Sequence, residues 1–284
     1  MRTILITGGA SGLGKGVAMH YLARGDRVIA VGNSVMNGAA FCNEAKQLGA
    51  EDRAIFINSD LSLVARSRQI VDEVKSNFTS LDALVLCASR HRKEYTETVE
   101  GFEISFALDY LSRFVICFGL KECLEKADAP VIINVCGTGM KGDVNWGDLQ
   151  HKKDFDPMKV MMHGSRLNEL SGVAFVSNDT TRKIKYILYN PMAVKTPGMM
   201  EFGGVAMKMY YKLAAKSVEK AIKPIVYLLD NPPETPISAY KERKSLSLDS
   251  PTFNKENSVK LYEITAKLLE DRANDHEKEK EVVN

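Results

Sequence analysis

The sequence predicts an α/β fold, a single domain on a doubly wound, mostly parallel sheet. Three observations predict it. Thr3-Ile-Leu-Ile-Thr7 runs straight into Gly8-Gly-Ala-Ser11-Gly12-Leu13-Gly14, and a helical pattern starts at once. Strand-like apolar runs then alternate with helix-like runs along the chain, the signature of a parallel sheet with crossover helices. The chain has 284 residues, 45% hydrophobic and 26% charged, ordinary values for a globular protein with a sizeable core.

In order, Thr3–Thr7 is the first strand. The first helix covers Gly12 to Arg24, with Leu13, Val17, Tyr21 and Leu22 as its inward stripe and Gly25 as its stop. Arg27–Val31 is the second strand, and a helix covers Asn37 to Leu48. Ala54–Asn58 is the third strand, followed by a helix to Phe78. Leu81–Cys87 is the fourth, followed by a basic loop, Arg90-His91-Arg92-Lys93, expected to be solvated. A long helix is expected over 99–125, and Pro130–Cys136 is the fifth strand. The stretch 138–156 reads as a long connection over a ligand crevice at the carboxyl edge of the sheet. A helix over 157–175 begins with Met158, Met161 and Met162, expected to pack on a neighbour. Lys185–Tyr189 is the sixth strand, 204–230 is helical, and Asn231–Pro236 breaks the chain. An amphipathic helix from Lys255 to Arg272 closes the domain, 1–272. The charged tail, 273–284, buries little and is expected to fray.

The net charge of +2 gives no field that would draw the chain to nucleic acid or a membrane surface. No apolar run reaches the length of a membrane span, and the first strand begins too early for a secretory leader. The five scattered cysteines read as reduced, buried thiols, and the five histidines lack metal-ligand spacing, so no metal is expected. These features predict a cytoplasmic protein acting on a small molecule.

The glycine turn carries the strongest chemical signal. Gly8 allows a tight turn, Gly12 lets the backbone approach a pyrophosphate, and Gly14 lets the helix pack on the strand. The helix N-terminus then presents free N–H groups and the positive end of its dipole to phosphate. The turn after the second strand, Gly32-Asn33-Ser34, has no acidic residue at 30–35 to take ribose hydroxyls, which favours NADP; no arginine is there to grip a 2′-phosphate, so NAD stays open.

Thr7-Gly8-x-x-x-Gly12-x-Gly14 resembles the glycine pattern of the short-chain dehydrogenase/reductase superfamily, and the resemblance runs along nearly the whole chain. It implies a Rossmann-type fold and a nicotinamide dinucleotide held by Gly8, Ser11, Gly12, Leu13, Gly14 and Asn33. Asp60-Leu61 matches the pair that holds the adenine ring. Ala88 is the one residue that fits the Asn-Asn-Ala-Gly turn, and Asn134-Val135 matches the motif of the fifth strand. In Asn190-Pro191-Met192-Ala-Val-Lys-Thr196, Pro191 and Thr196 match the turn at the nicotinamide carboxamide, with Met192 where the family has glycine. Ser258–Ile264 and Asp154–Lys159 resemble the retinol-dehydrogenase-like branch.

Four side chains do the chemistry in this family: Asn, Ser, Tyr and Lys. The resemblance puts Asp109 at the asparagine and Gly137 at the serine. Two registers compete for the other pair: Met161 with Ser165, which needs no gap, or Met162 with Arg166. Either way a methionine replaces the phenol, and it cannot exchange a proton. The one literal Tyr-x-x-x-Lys, Tyr240 to Lys244, lies beyond a proline-rich break and reads as chance. The remaining candidates are Asp109 as a carboxylate in the site, Thr138 as a donor in place of the serine, and His163 as an acid or base slightly off the active face, with Tyr189 ranked lower.

Three functions follow. One is an atypical NAD(P)(H)-using oxidoreductase. Another is a non-redox enzyme on the same scaffold, such as a cyclase, isomerase or lyase. The third is a non-catalytic cofactor sensor or partner subunit. A homodimer or homotetramer through the helices at 99–125 and 157–175 is expected from the resemblance.

Overall fold

The apolar run Thr3–Thr7 (β1) is buried along its whole length and lies inside an eight-stranded sheet. The structure is a computed structural model and describes residues 1–196 and 214–283, with side chains through Arg272. The other strands are Arg27–Gly32 (β2), Ala54–Asn58 (β3), Ala83–Leu86 (β4), Val131–Val135 (β5), Lys185–Asn190 (β6), Ile237–Lys241 (β7) and Lys244–Ser245 (β8). Their order is β3-β2-β1-β4-β5-β6-β7-β8, parallel through β7, with β8 antiparallel at the edge. The order reverses between β1 and β4, the place where a doubly wound sheet opens a crevice at its carboxyl edge.

Helices cover both faces because the strands are apolar on both faces. On one face, Gly12–Ala23 (α1), Val35–Gln47 (α2) and Val218–Asp230 pack through Val17, Leu22, Phe41 and Ile225. On the other, Val64–Asn77 (α3) and the segments after β4 pack through Ile70, Val74, Ile116 and Leu124. Those segments are Ile104–Phe106 (α4), a π turn at Ala107–Leu111, Ser112–Gly119 (α5) and Lys121–Glu125 (α6). Pro157–Asn178 (α7) follows β5; Val218–Asp230 is α8 and Lys255–Val283 is α9.

The structure differs from the sequence reading in particular places. The helix expected from 99 starts at Ile104, because Thr98–Phe102 closes into a tight turn in which Thr98 N donates to Phe102 O at 2.8 Å, with Gly101 at φ +73°. β7 and β8 were not foreseen: β7 starts directly behind the prolines at 232–236 without a continuous apolar run, and β8 has only two residues. Tyr240 and Lys244 fall on the two arms of that hairpin, not on a helix. Part of the helix expected over 204–230, residues 204–213, lies outside the described residues. The backbone of α9 continues past Arg272 to Val283, where fraying is expected; the Glu and Lys residues there are good helix formers. All five cysteines are free; Cys117 and Cys123 are buried, but Cys42 is exposed.

The face expected to pair with a second copy is partly taken by the chain's own last helix. Tyr262 stacks against Phe114 and Phe118, Tyr110 and Thr265 share a hydrogen bond of 2.6 Å, and Leu261 and Leu269 join Leu167 and Leu170 in one cluster. Among the described residues no helix is long and apolar enough to cross a membrane, and no group of three His, Cys, Asp or Glu side chains is placed to hold a metal.

Candidate functional site

A cavity of about 870 Å³ opens at the carboxyl edge of the sheet and runs from the glycine turn to α7 and the 138–156 connection. Its first half is made by backbone. Gly8 has φ +68° and Gly12 φ +51°, values that L side chains rarely adopt. A Cβ on Gly8 would lie 2.9 Å from Ala88 N, and one on Gly14 would lie 2.4 Å from Gly8 O, so the turn, the helix and the end of β4 touch. Ser11 caps α1 in an extended conformation without a side-chain hydrogen bond, which leaves the first-turn N–H groups to the cavity.

Ser11, Gly12, Leu13 and Gly14 line this half, with Asn33, Asp60, Leu61 and Ala88 beyond them. Asp60 is held by Ser62, whose N and Oγ donate to Oδ1 at 3.0 and 2.8 Å. Pro191 and Thr196 line the cavity from the turn after β6, and the Thr196 methyl lies over Gly12, 3.1 Å from where a Cβ would be. Met192, where the family has glycine, has φ +59°, and its N–H donates to Asn190 Oδ1 at 2.9 Å. Arg90 and His91 of the basic loop also line the cavity.

The second half is made by side chains. The π turn carries Asp109 to the wall, with Oδ1 buried and without a hydrogen-bond partner among the described residues. Gly137 packs directly on Ser165: a Cβ there would lie 2.4 Å from Ser165 Oγ and 2.6 Å from Met140 Sδ. Met161 and Ser165 both line the cavity, and Ser165 Oγ donates to Met161 O at 3.0 Å. Met162 and Arg166 do not line it, and Arg166 is buried against Glu169 at 2.6 Å. Among the described lining residues there is no tyrosine, and Lys241 is the one lysine.

Two candidates lie elsewhere. Thr138 is fully buried behind the wall; its hydroxyl donates to Glu169 Oε1 at 2.6 Å, because that buried carboxylate draws the nearest donors to itself. Tyr189 is buried in the sheet core and does not line the cavity. His163, expected off the active face, is buried and lines it, since the cavity reaches around α7 to the 138–156 connection. Burial first, then the neighbouring His151, pushes His163 down to about 4.

Sequence reasoning missed His151, Arg113, Asn168 and Lys241, all cavity-lining. The buried Arg113 guanidinium donates to Asn134 Oδ1 at 2.6 Å, Val135 O at 2.8 Å and Ala88 O at 2.9 Å, tying the ends of β4 and β5 together. Asn134 in turn donates to Asn168 Oδ1 at 2.8 Å, and Asn168 to the Asp109 carbonyl at 2.9 Å. Arg113 follows Asp109 by four residues, a helical spacing that was legible; Lys241 sits on the unforeseen β7.

Comparison with known proteins bears on the family and the fold. The family described as short chain dehydrogenase matches residues 2–147. The chain is 27% identical to human polyprenol dehydrogenase over 161 residues, 55% of this chain and 49% of that protein. It is 29% identical to human retinol dehydrogenase 14 over 170 residues, 55% of this chain and 50% of that one. The chain thus spans about half the length of these curated relatives. An NADPH-bound carbonyl reductase from chicken fatty liver superposes with a TM-score of 0.64 at 15% identity, covering 87% of this chain and 99% of that one, a likeness of fold. The chain belongs to the short-chain dehydrogenase family, with its likeness on the retinol-dehydrogenase-like side.

Proposed function

We propose that this short-chain dehydrogenase is an atypical NAD(P)(H)-binding oxidoreductase that acts on a small organic substrate without the family's Asn, Ser, Tyr and Lys. One observation carries the reading: an uncapped helix N-terminus behind the glycine turn opens into the same cavity as Asp109, Met161, His163 and Ser165. The residues fit a dinucleotide. The α1 N–H groups and Gly12 would hold its pyrophosphate, Asp60 and Leu61 its adenine, and Thr196 its nicotinamide end. When bound, that cofactor gives or accepts a hydride. Asn33 in place of an acid supports NADP over NAD, and the chicken carbonyl reductase of the same fold is NADPH-bound.

The chain's own residues divide the remaining work. Arg113 fixes the ends of β4 and β5, and so the floor between the two halves. Met161 has no proton to give, so proton handling falls to titratable groups of the wall around it, Asp109 and His163 among them. Thr138 acts from behind, holding Glu169 in place. Substrates whose reduction asks little acid assistance, such as activated alkenes or iminium ions, suit this wall better than simple ketones.

A second reading is favoured by the Gly137–Ser165 contact. There a hydroxyl is turned onto the Met161 carbonyl and no side chain at 137 faces the substrate. This wall also suits a non-redox enzyme on the same scaffold, or a non-catalytic sensor. A cytoplasmic homodimer or homotetramer remains part of the proposal, on the helix surface that α9 leaves open. Fluorescence titration with NADPH, and NADH as control, tests the main reading. Micromolar binding is expected, and no binding at millimolar cofactor overturns it.

A further inference from the structure

Two arginines are buried to the same degree and are paired differently. Arg166 is 3% exposed and pairs with Glu169 at 2.6 Å. Arg113 is 4% exposed, lines the cavity and forms no ion pair among the described residues. Its acceptors, Asn134 Oδ1, Val135 O and Ala88 O, are all neutral. A buried permanent charge without a counter-ion is costly, and its field reaches into the open space beside it.

A second cation faces the same space. Lys241 ends β7, in register with Asn190 at the end of β6. Side chains alternate along a strand, so Lys241 shares a sheet face with Ala239, which lies in one cluster with Phe175 of α7. Lys241 is partly buried and lines the cavity, and its ammonium makes no hydrogen bond or ion pair among the described residues. The adjacent carboxylate, Glu242, is taken by Lys216. Three acids line the cavity among the described residues. Asp60 sits in the glycine-turn half, held by Ser62. Glu103 is fully buried, and burial pushes its carboxyl up towards the neutral form. Asp109 alone stands against Arg113, Lys241 and the exposed Arg90.

We infer that the α7 half of the cavity takes a substrate with a carboxylate group, held by Lys241 in the field of Arg113. The inference rests on the oxidoreductase reading and names its substrate class. A lysine ammonium is a mobile point charge, and its pairing with a carboxylate is stronger in a recess than in open water. Lys241 makes the contact; Arg113, whose two terminal nitrogens are bonded within the protein, contributes charge. Alkene and iminium substrates both remain, with the acid group elsewhere on the molecule.

The test is calorimetric titration of the full chain with cyclohexanecarboxylate and cyclohexanecarboxamide near neutral pH, without cofactor and with saturating NADPH. The probes share a shape and differ in charge. The carboxylate should bind about tenfold or more tighter in both conditions. Lys241→Gln should bring that preference to within about twofold, and Lys241→Arg should keep it. Equal binding of the two probes overturns the inference. So does a carboxylate that does not bind, or a preference that survives Lys241→Gln. A preference lost when NADPH is present puts the anion in the glycine-turn half and overturns it too. Salt gives a second measurement should Lys241→Gln not fold. Raising it from about 0.05 to about 0.5 M should weaken the carboxylate and leave the carboxamide within about twofold. A carboxylate affinity indifferent to salt overturns the inference. NADPH titration alone reads the dinucleotide half; if NADPH does not bind, that reading falls, and the titrations without cofactor still decide this one.

Discussion

The two halves of the cavity are built by different means. Around the glycine turn the shape is set by backbone: positive φ at Gly8 and Gly12, and a helix that touches the turn at Gly14. Around α7 it is set by side chains from distant parts of the chain, such as Ser165 against Gly137 and His151 against His163. A backbone-built site tolerates almost no substitution within it, because few residues fit the conformation. A side-chain-built site can be rewritten position by position while the fold stands. Here the first half is a glycine turn and a helix N-terminus, and the second presents the thioether of Met161 and the hydroxyl of Ser165.

The sharpest way to break the comparison is Gly14→Ala. The new Cβ would lie 2.4 Å from Gly8 O, a backbone atom that moves only if the turn moves. Overpacking of this kind costs about 3 kcal/mol at the upper end of its usual range. Urea denaturation should show that loss, and NADPH affinity should fall by more than about tenfold, since the same turn carries the phosphate-facing N–H groups. A variant of wild-type stability would mean that the turn is not the rigid element it is taken to be.

The second half should answer to pH. His163 titrates near the ordinary 6.5 in the unfolded chain, but burial and His151 push it down to about 4 in the folded one. Its contribution to stability is therefore complete above pH 6.5 and is lost as pH falls from 6.5 towards 4, because the unfolded state takes up the proton first. Between pH 7 and pH 5 the wild type should lose about 2 kcal/mol more than His163→Gln in urea denaturation. Burial raises Glu103 and Glu169, which work in the opposite direction, but both are present in the two proteins and cancel in the difference. Parallel pH dependence in the two proteins would place His163 in a wetter setting than the cavity wall.

This division also explains what was legible in the sequence. Glycines at fixed offsets between a strand and a helix report a local conformation, so the turn and the crevice could be read directly, while Asp60 came from the family resemblance. Six of the eight strands were readable from apolar runs; β7 and β8 were not, because Ile237-Ser-Ala-Tyr-Lys241 and Lys244-Ser245 follow prolines and contain no continuous apolar run. In the second half the meaning of a residue depends on a partner far along the chain. Nothing near Gly137 announces that Ser165 occupies the space in front of it. Thr138 looked available until Glu169 was found to hold it, 31 residues away. His151 had no helical or strand period to mark it.

The smallest expected effect sets one glycine against another. Gly164 lies on α7 and lines the cavity, as Gly14 lies on α1, but a Cβ at Gly164 would meet nothing within 4 Å. Its carbonyl accepts from Asn168 Nδ2 at 2.8 Å, a bond that a methyl group leaves in place. Gly164→Ala should therefore follow helix propensity alone and stabilise the fold by about 0.5–1 kcal/mol, the reverse of Gly14→Ala. The added methyl enters the side-chain-built half, so NADPH affinity should stay within about twofold while binding of an apolar probe changes. Thermal or urea unfolding of both alanine variants, beside NADPH titration, makes the contrast measurable. If both variants destabilise alike, close packing of glycine governs both helices and the two halves are not built differently.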